Sequence, residues 1–433
     1  MPLTMNTKKQ LLDHSILKVD LRQAVIALAE ALNLVGIDEQ QHGERVAYMA
    51  TVCARKLAWG DEALDNIFHA AMLHDCGVSS SVMHKYLISE MDWEGAELHC
   101  ILGEYYLKNF PPLAHLAPIV RYHHTHWKQL QQTELSPAVR DAANLIYMVD
   151  RVDAMRAQLL SSRGTTTHNT ADVIRARIVE AEGEHFAPHL VKAFLAVSDN
   201  DAFWLSMEPF HLAEFISQMQ DGHTPQLSRY EDVHQLACIF AHIVDAKSSY
   251  TYDHSVGVAR VSRHLAQLLD MPSPRVDEIE LAALLHDLGK LGVPDEILEK
   301  KGPLNTEESA IMHRHSYESF RILNRIHGFE RIAEWAGNHH ETLLGDGYPF
   351  HHEETELGLE ARLIAIADIF QALAQDRPYR KALSPTEIIR YLEKLADEGR
   401  IDADLVKLVE SDLDDLWQIA TQPDTDWSPL LSQ

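Results

Sequence analysis

Histidines and aspartates recur in a fixed order along this sequence of 433 residues. In the second half, the pair His286-Asp287 ends an apolar run, and the pair His339-His340 precedes the turn-forming sequence Gly-Asp-Gly-Tyr-Pro. Imidazole and carboxylate suit borderline transition metals, and seven such groups are too many for one tetrahedral ion. The sequence therefore predicts a two-metal centre, in which a carboxylate with two oxygens is the natural bridge. The candidate ligands are His254, His286, Asp287, His315, His339, His340 and Asp368.

The first half contains the same seven residue types in the same order. His42 lies 212 positions before its counterpart, His99 lies 216 before and Asp150 lies 218 before, as insertions in surface loops would produce. A single histidine on an apolar face is more often an ordinary core residue than a ligand. Because all seven residues recur together in order, a role as metal ligands is favoured for them. The histidine doublet at 351–352 has no counterpart in the first half and is interpreted as solvated surface. The first-half set is His42, His74, Asp75, His99, His123, His124 and Asp150.

The surrounding elements are predicted to be helices. Apolar residues recur at helical spacing, as in LRQAVIALAEALNLVG, while β-branched residues and regular turn signals are sparse. The internal repeat predicts two tandem helical domains, at 1–205 and 226–433, with a helical connector at 206–225. We therefore expect an all-α protein that consists of two related helical bundles.

The composition of the chain disfavours several classes of function. A formal charge of −27 disfavours binding to nucleic-acid polymers or anionic membranes. The sequence contains neither an apolar run of the roughly 18 to 20 residues that span a membrane nor the apolar core of a signal peptide. Its four cysteines form no CxxC pair, which fits a reducing compartment and buried apolar roles. We expect a cytoplasmic protein.

Residues 236–410 resemble the HD-GYP family of HD-domain metal phosphohydrolases. The resemblance is carried by LLHDLGKLGVPDEIL, NHHETLLGDGYP and AIADIFQALAQDRPYRKALSPTE, in family order. It implies an all-helical fold and hydrolysis of a cyclic dinucleotide, chiefly cyclic di-GMP, at an iron or manganese centre. It also implies that His254, His286 and Asp368 hold one ion, that His315, His339 and His340 hold the other, and that Asp287 bridges them. Trinuclear members carry a further Glu where this sequence has Tyr250, so two ions are predicted.

The predicted chemistry is attack on phosphorus by a water that two metals activate. Lys290 follows Asp287 by three residues, close enough to meet charge that develops on the phosphate. Arg377 and Arg380 share a face and would hold the other phosphate or a guanine edge; surface salt bridges are their alternative role, which the resemblance disfavours. Tyr348 would stack on the substrate or pack its own loop.

Three functions stay open at this point. The first is hydrolysis of cyclic di-GMP to pGpG, with GMP as a further product. The second keeps the site and changes the substrate to 3′,3′-cyclic GMP-AMP. The third is a signalling protein that binds the cyclic dinucleotide without turnover, against which the intact Lys290 and the full ligand set argue.

The first half keeps the ligands and lacks the residues that handle substrate. Val78 stands where the second half has Lys290, and no Gly-Tyr-Pro or Asp-Arg-Pro-Tyr-Arg sequence is present. We expect this half to bind metal without hydrolysing cyclic dinucleotides and to act as a regulatory or dimerising module, in a homodimer for example. The alternative is a structural domain with a collapsed, metal-free centre.

Overall fold

The structure is a computed structural model that describes residues 18–35, 41–78, 96–163, 167–220, 226–227, 229–247, 253–376 and 380–423. Within these ranges it contains 21 α-helices, two short 3-10 helices and one two-stranded sheet. The all-α prediction is confirmed. None of the described helices combines the length and the apolarity that a membrane span requires.

Eleven of the described helices precede residue 221. The first four are α1 (Leu21–Leu32), α2 (His42–Lys56), α3 (Asp61–Met72) and α4 (Ala96–Lys108). A 3-10 helix, Ala114–Leu116, leads into α5 (Ala117–Arg121), α6 (Trp127–Leu130) and the long α7 (Pro137–Arg163). The remaining four are α8 (Thr167–Glu180), α9 (Pro188–Ser198), α10 (Asp201–Leu205) and α11 (Pro209–Gln220).

Ten helices follow. They begin with α12 (Tyr230–Asp245), α13 (His254–Leu268) and α14 (Ser273–Leu285), after which comes the second 3-10 helix, Leu288–Gly292. The next are α15 (Asp295–Leu298), α16 (Thr306–Leu323), α17 (Glu330–Gly337) and α18 (Leu359–Ala374). The last are α19 (Pro385–Asp397), α20 (Ala403–Ser411) and α21 (Leu413–Thr421).

The two halves pack their helices alike. In the second half α13 lies between α14 and α18, and in the first half α2 lies between α3 and α7. A side-chain cap fixes where α16, the helix that carries His315, begins: the Asn305 side chain accepts from Glu308 N (2.9 Å), and the Glu308 carboxylate accepts from Asn305 N (2.8 Å). Such a reciprocal cap satisfies two backbone donors that the helix itself leaves unpaired. Each half therefore surrounds its histidines with the same frame.

Helix α1 lies between the halves and contacts both. It packs on α2 and α3 of the first half, and on the 3-10 helix Leu288–Gly292 and α16 of the second. Just before α1, Val19–Asp20 pairs antiparallel with Gln226–Leu227. Across the same surface Glu30 forms ion pairs with Arg321 and Arg325. Residues 19–32 thus join the two copies into one packed structure.

In the part that the structure describes, the predicted connector, 206–225, contains the helix α11 after a turn at 206–208. Helix α11 packs on α2, and the Phe215 ring lies 5.2 Å from the Tyr48 ring in an edge-on contact. This segment therefore adds to the first copy's core. The domain limits at 205 and 226 stay a prediction.

Candidate metal centres

Asp287 lies at the middle of the second copy's histidine cluster. Its Oδ2 atom is 3.2 Å from His286 Nε2 and 3.8 Å from His254 Nε2. Its Oδ1 atom is 3.4 Å from His315 Nε2 and 3.8 Å from His339 Nε2. Each carboxylate oxygen thus faces a different pair of imidazoles, which is the arrangement of a bridging ligand between two ions.

Backbone carbonyls orient three of these rings. The Nδ1 atoms of His286, His315 and His339 lie 2.7, 2.5 and 2.6 Å from the carbonyl oxygen three residues earlier in each case. Hydrogen bonds of this kind fix the tautomer and turn Nε2 toward the centre. The remaining predicted ligands join them, since Asp368 Oδ1 lies 3.0 Å from His254 Nε2 and His340 groups with His315 and His339.

Several of these groups have the ionisation states of metal ligands; His286 differs, because burial lowers its pKa but the Asp287 carboxylate raises it above the usual value. Burial lowers the pKa of His315 to about 3 and that of His340 to about 4, so both imidazoles are neutral near pH 7. Burial alone would raise the pKa of Asp287, but the charges of His286 and Lys290 hold it well below its usual value. Neutral imidazoles and ionised carboxylates are the forms that bind metal.

Unsatisfied polar atoms at the centre provide a test of whether metal fits. In the part of the chain that the structure describes, His286 Nε2 and Asp287 Oδ1 are buried and have no hydrogen-bond partner. Buried polar atoms without partners cost free energy, and native structures contain few of them. Both atoms point into a set of nitrogen and oxygen donors, so divalent transition-metal ions fit the centre.

A glycine lets the 3-10 helix approach α16. A Cβ atom at Gly289 would lie 2.1 Å from the carbonyl oxygen of His315, and Ser319 Oγ accepts from Gly289 N at 2.9 Å. The first copy repeats this contact, since a Cβ at Gly77 would lie 2.0 Å from the carbonyl oxygen of His99. The close approach holds each central aspartate next to the histidine of the neighbouring helix.

The Gly-Tyr-Pro loop covers one side of the second centre. The Tyr348 ring stacks on His313, with 3.8 Å between ring centroids, and lies 4.8 Å from the His340 ring. Gly347 permits this path, because a Cβ there would lie 2.6 Å from the carbonyl oxygen of His340. The Glu341 carboxylate fixes the loop exit by accepting from the backbone N–H of Phe350 and His351. Lys290 pairs with Asp287 on the same rim.

The first copy assembles its seven predicted ligands in a similar cluster. Asp75 Oδ1 is 3.4 Å from His99 Nε2 and 3.8 Å from His123 Nε2, while Asp75 Oδ2 is 3.4 Å from His74 Nε2. His42 Nε2 lies 3.3 Å from Asp150 Oδ1, and His124 Nε2 lies 3.9 Å from Asp150 Oδ2. The sequence repeat is therefore a repeat of spatial arrangement.

Comparisons with known proteins agree with this arrangement. Family models described as HD domain match residues 40–155 and residues 238–405. The chain is 35% identical to 3′3′-cGAMP-specific phosphodiesterase 1 of Vibrio cholerae, over 95% of this chain and 96% of that protein. The chain belongs to the HD-GYP family of HD-domain phosphohydrolases. We name the second copy, which contains the Gly-Tyr-Pro sequence, the HD-GYP domain, and the first copy, which lacks that sequence, the degenerate HD domain.

Another relative matches part of the sequence, and a solved structure has a similar fold. A cyclic di-GMP phosphodiesterase of Pseudomonas aeruginosa is 40% identical over 142 residues, which are 33% of this chain and 34% of that protein. A crystal structure of a cyclic GMP-AMP-specific phosphodiesterase from V. cholerae superposes with a TM-score of 0.64 at 23% identity, covering 92% of this chain and 98% of the other. The likeness to this crystal structure supports the fold with two tandem helical copies.

Of the two arginines that were predicted to bind substrate, the structure describes Arg380 but not Arg377. The Arg380 guanidinium donates to the carbonyl oxygens of Ala372 (2.6 Å), Leu373 (3.1 Å) and Lys381 (3.2 Å), which caps the end of α18. Arg377 lies outside the described residues, as does Tyr250. The roles of both arginines in substrate binding stay predictions.

Several polar residues at these centres were missed by sequence reasoning. Asp245, buried near the HD-GYP centre, accepts from Ser255 N (3.0 Å) and Ser255 Oγ (2.8 Å), and burial raises its pKa well above the usual value. Cys100, expected to be a plain apolar residue, has its sulfur 3.6 Å from His99 Nε2. Burial would raise the pKa of this thiol, but the charges of His123 and His99 lower it to about 6. When the two copies are aligned, Cys100 occupies the position of Ser316, beside a predicted ligand, and this could have pointed to a polar role for Cys100.

Proposed function

We propose that the HD-GYP domain hydrolyses a phosphodiester bond of a cyclic dinucleotide. The observation that carries the proposal is the position of Asp287, with one carboxylate oxygen toward His254 and His286 and the other toward His315 and His339. This arrangement suits two ions that share one phosphodiester. Lys290 and Tyr348 lie at the rim of the same centre, where the substrate would enter.

Two divalent ions, iron or manganese, fit the donors. One would be held by His254, His286 and Asp368, the other by His315, His339 and His340, and Asp287 would contact both. When bound, such ions supply Lewis acidity that activates water and neutralises phosphate charge.

The protein's own residues would contribute positioning. Lys290 carries a positive charge beside Asp287 and can hydrogen-bond a phosphate oxygen as negative charge grows on it. Tyr348, held against His313, presents a half-buried ring on which a base can stack. Arg377 and Arg380 remain candidates for the second phosphate, although the cap on α18 occupies the Arg380 guanidinium in this structure.

For the substrate we propose 3′,3′-cyclic GMP-AMP first and cyclic di-GMP second. A relative that aligns over both copies is named as specific for 3′3′-cGAMP. Relatives named as cyclic di-GMP phosphodiesterases align over parts of the chain, as the P. aeruginosa protein does over 33% of it. Product analysis is therefore required for both substrates, including whether cleavage stops at the linear dinucleotide.

The test is anaerobic reconstitution of the full chain with Fe(II) or Mn(II), followed by chromatography of the products formed from each cyclic dinucleotide. We expect linear dinucleotide from at least one substrate and none from Asp287→Asn. The matched control is Asp75→Asn, the same change at the equivalent position of the first copy, which should keep turnover. Nucleotide binding by calorimetry without product from the wild-type chain would favour the non-catalytic signalling function instead.

A further inference from the structure

The two centres have the same seven predicted ligands but differ in the charged residues beside them. Around His42, the first copy has Arg45, Arg151 and Asp153, and the second copy has Gly257, Ile369 and Gln371 at the equivalent positions. The first copy has thus gained two cations and one anion next to a predicted metal position. All three side chains are at least nine-tenths buried, so their charges act in a medium that screens them weakly.

These residues form a chain of ion pairs. Arg45 donates to both oxygens of Asp153, at 2.7 and 2.8 Å, and Asp153 Oδ2 lies 2.8 Å from His42 Nδ1. At the other end Arg151 Nη2 lies 2.8 Å from Asp150 Oδ2. Two guanidinium groups thus balance two carboxylates. Asp150, which would hold an ion by analogy with Asp368, already has a cation on one oxygen and His42 on the other.

Another ion on Asp150 would therefore meet like charge. The Arg151 guanidinium cannot lose its proton in a protein, and a divalent ion on the same carboxylate would be repelled at short range. In the part of the second copy that the structure describes, no such cation lies on Asp368, which Ile369 follows. The cation there is the partly exposed ammonium group of Lys290, which pairs with Asp287 instead. In the first centre His42 and Asp150 are consequently paired without metal, and His74 Nε2 is left buried without a hydrogen-bond partner among the described residues.

The opposite side of the first centre retains a full donor set. The ligand atoms of Asp75, His99, His123 and His124 all lie within 4.8 Å of one another. Asp75 Oδ1 is buried and, among the described residues, has no hydrogen-bond partner. His123 Nδ1 lies 2.6 Å from the carbonyl oxygen of Val120, which turns Nε2 toward Asp75. Three imidazoles and one carboxylate match the tetrahedral coordination of a single transition-metal ion.

We infer that the degenerate HD domain holds one divalent transition-metal ion, on Asp75, His99, His123 and His124, and that the Arg151 guanidinium replaces the second ion on Asp150. A single ion cannot clamp a phosphodiester from two sides as a pair does. The absence of a lysine at Val78 agrees with a site that does not process phosphate. The ion therefore stabilises the first copy and leaves hydrolysis to the second.

The experiment uses the full chain with the HD-GYP centre disabled by Asp287→Ala and His339→Ala, so that it does not depend on the proposed function. The protein is stripped, titrated with Mn(II) and examined by elemental analysis and electron paramagnetic resonance. We expect one ion per chain with the six-line spectrum of an isolated Mn(II). No bound ion, or two ions with a spin-coupled spectrum, would overturn the inference.

Matched variants in this background locate the ion. His99→Gln should weaken Mn(II) binding by more than the roughly 10- to 100-fold that loss of a ligand's hydrogen-bond partner costs. His42→Gln should weaken Mn(II) binding much less than His99→Gln, because the closest partners of His42 are Asp153 and Asp150 of the ion-pair chain and it is not a proposed ligand. Loss of the ion in His42→Gln, or its retention in His99→Gln, contradicts the assignment.

A third variant tests the inference even if the His99→Gln or the His42→Gln protein does not fold. Arg151→Ile installs the residue of the second copy and frees Asp150, so a second Mn(II) should bind and couple to the first. Circular dichroism confirms that each variant is folded before titration. A folded Arg151→Ile protein that still binds one uncoupled ion would show that the guanidinium does not exclude the second ion, against the inference.

Discussion

Asp287 and Lys290 hold adjacent places at the HD-GYP centre but would contribute differently to turnover. Asp287 is nearly inaccessible and faces four imidazoles, whereas the Lys290 side chain keeps 20% of its surface exposed toward the rim. As a buried carboxylate among imidazoles, Asp287 would belong to the metal-binding framework. A partly exposed ammonium group is available to an incoming phosphate.

We predict that Lys290→Met lowers kcat by about 100-fold or more, the usual cost of removing a donor that stabilises transition-state charge. Methionine preserves the length and apolar packing of the stem, so two ions should remain bound. Asp287→Asn should lose metal together with activity. Elemental analysis alongside steady-state kinetics separates the two effects, and equal metal loss in both variants would refute this division of roles.

At this scale the sequence predicted which histidines and aspartates lie together, while their role as metal ligands stays a prediction, and it missed the partners of these residues. The fourteen histidines and aspartates of the two centres were identified because metal chemistry accepts few residue types and because the repeat preserved them. Arg151, Asp153 and Asp245 were missed because the partner of a charged residue depends on where helices pack, which no spacing rule encodes. The Arg380 cap was missed for the same reason, since its acceptors are backbone carbonyls.

Among the elements, the 3-10 helix Leu288–Gly292 connects the metal centre to the rest of the fold. It begins directly after Asp287, carries Lys290, and contacts α16 on one side and α1 on the other. The two glycines of this helix face different neighbours. Gly289 lies against the backbone of α16, and Gly292 lies against the Leu34 side chain.

Gly289→Ala should therefore displace the 3-10 helix, because its Cβ would lie 2.1 Å from the backbone oxygen of His315. We expect a stability loss of about 1–3 kcal/mol, as overpacking costs, together with weaker metal binding. Gly292→Ala is the matched control in the same helix, since its Cβ would meet Leu34 Cβ at an ordinary 3.4 Å. Thermal melting and Mn(II) titration of both variants test this, and equal effects would contradict it.

Helix content was predictable, but the role of α1 was not. The apolar periodicity of LRQAVIALAEALNLVG correctly indicated a buried helix. Such a pattern shows that a face is covered without showing what covers it. Leu21, Ala24 and Leu28 are all buried, and α1 packs on elements of both copies, so a helix assigned to the first copy also belongs to the second copy's surface.

The whole molecule consequently does not divide cleanly between its two copies. Without residues 18–35, the second copy would expose the apolar side chains Val233, Phe240 and Phe329, which line a small cavity together with Ala24 of α1. It would also lose the strand pairing of Val19 with Leu227.

We predict that a fragment of residues 226–433 melts below the full chain and binds an apolar fluorescent dye. A peptide of residues 18–35 should raise its melting temperature and displace the dye. The control peptide carries Glu30→Lys, which opposes Arg321 and Arg325. A fragment as stable as the full chain, or equal effects of both peptides, would show that α1 contributes little to the second copy.

The pairing of Asp20 with Gln226 also sets an order of events at the ribosome. Gln226 follows Asp20 by 206 positions. At about 5–20 residues per second, the first strand waits about 10–40 s for its partner to be synthesised. During that interval the first copy can fold, while the side of α1 that later contacts the second copy remains uncovered. Translation speed over residues 33–226 therefore determines how long this apolar surface is open to chaperones or to another nascent chain.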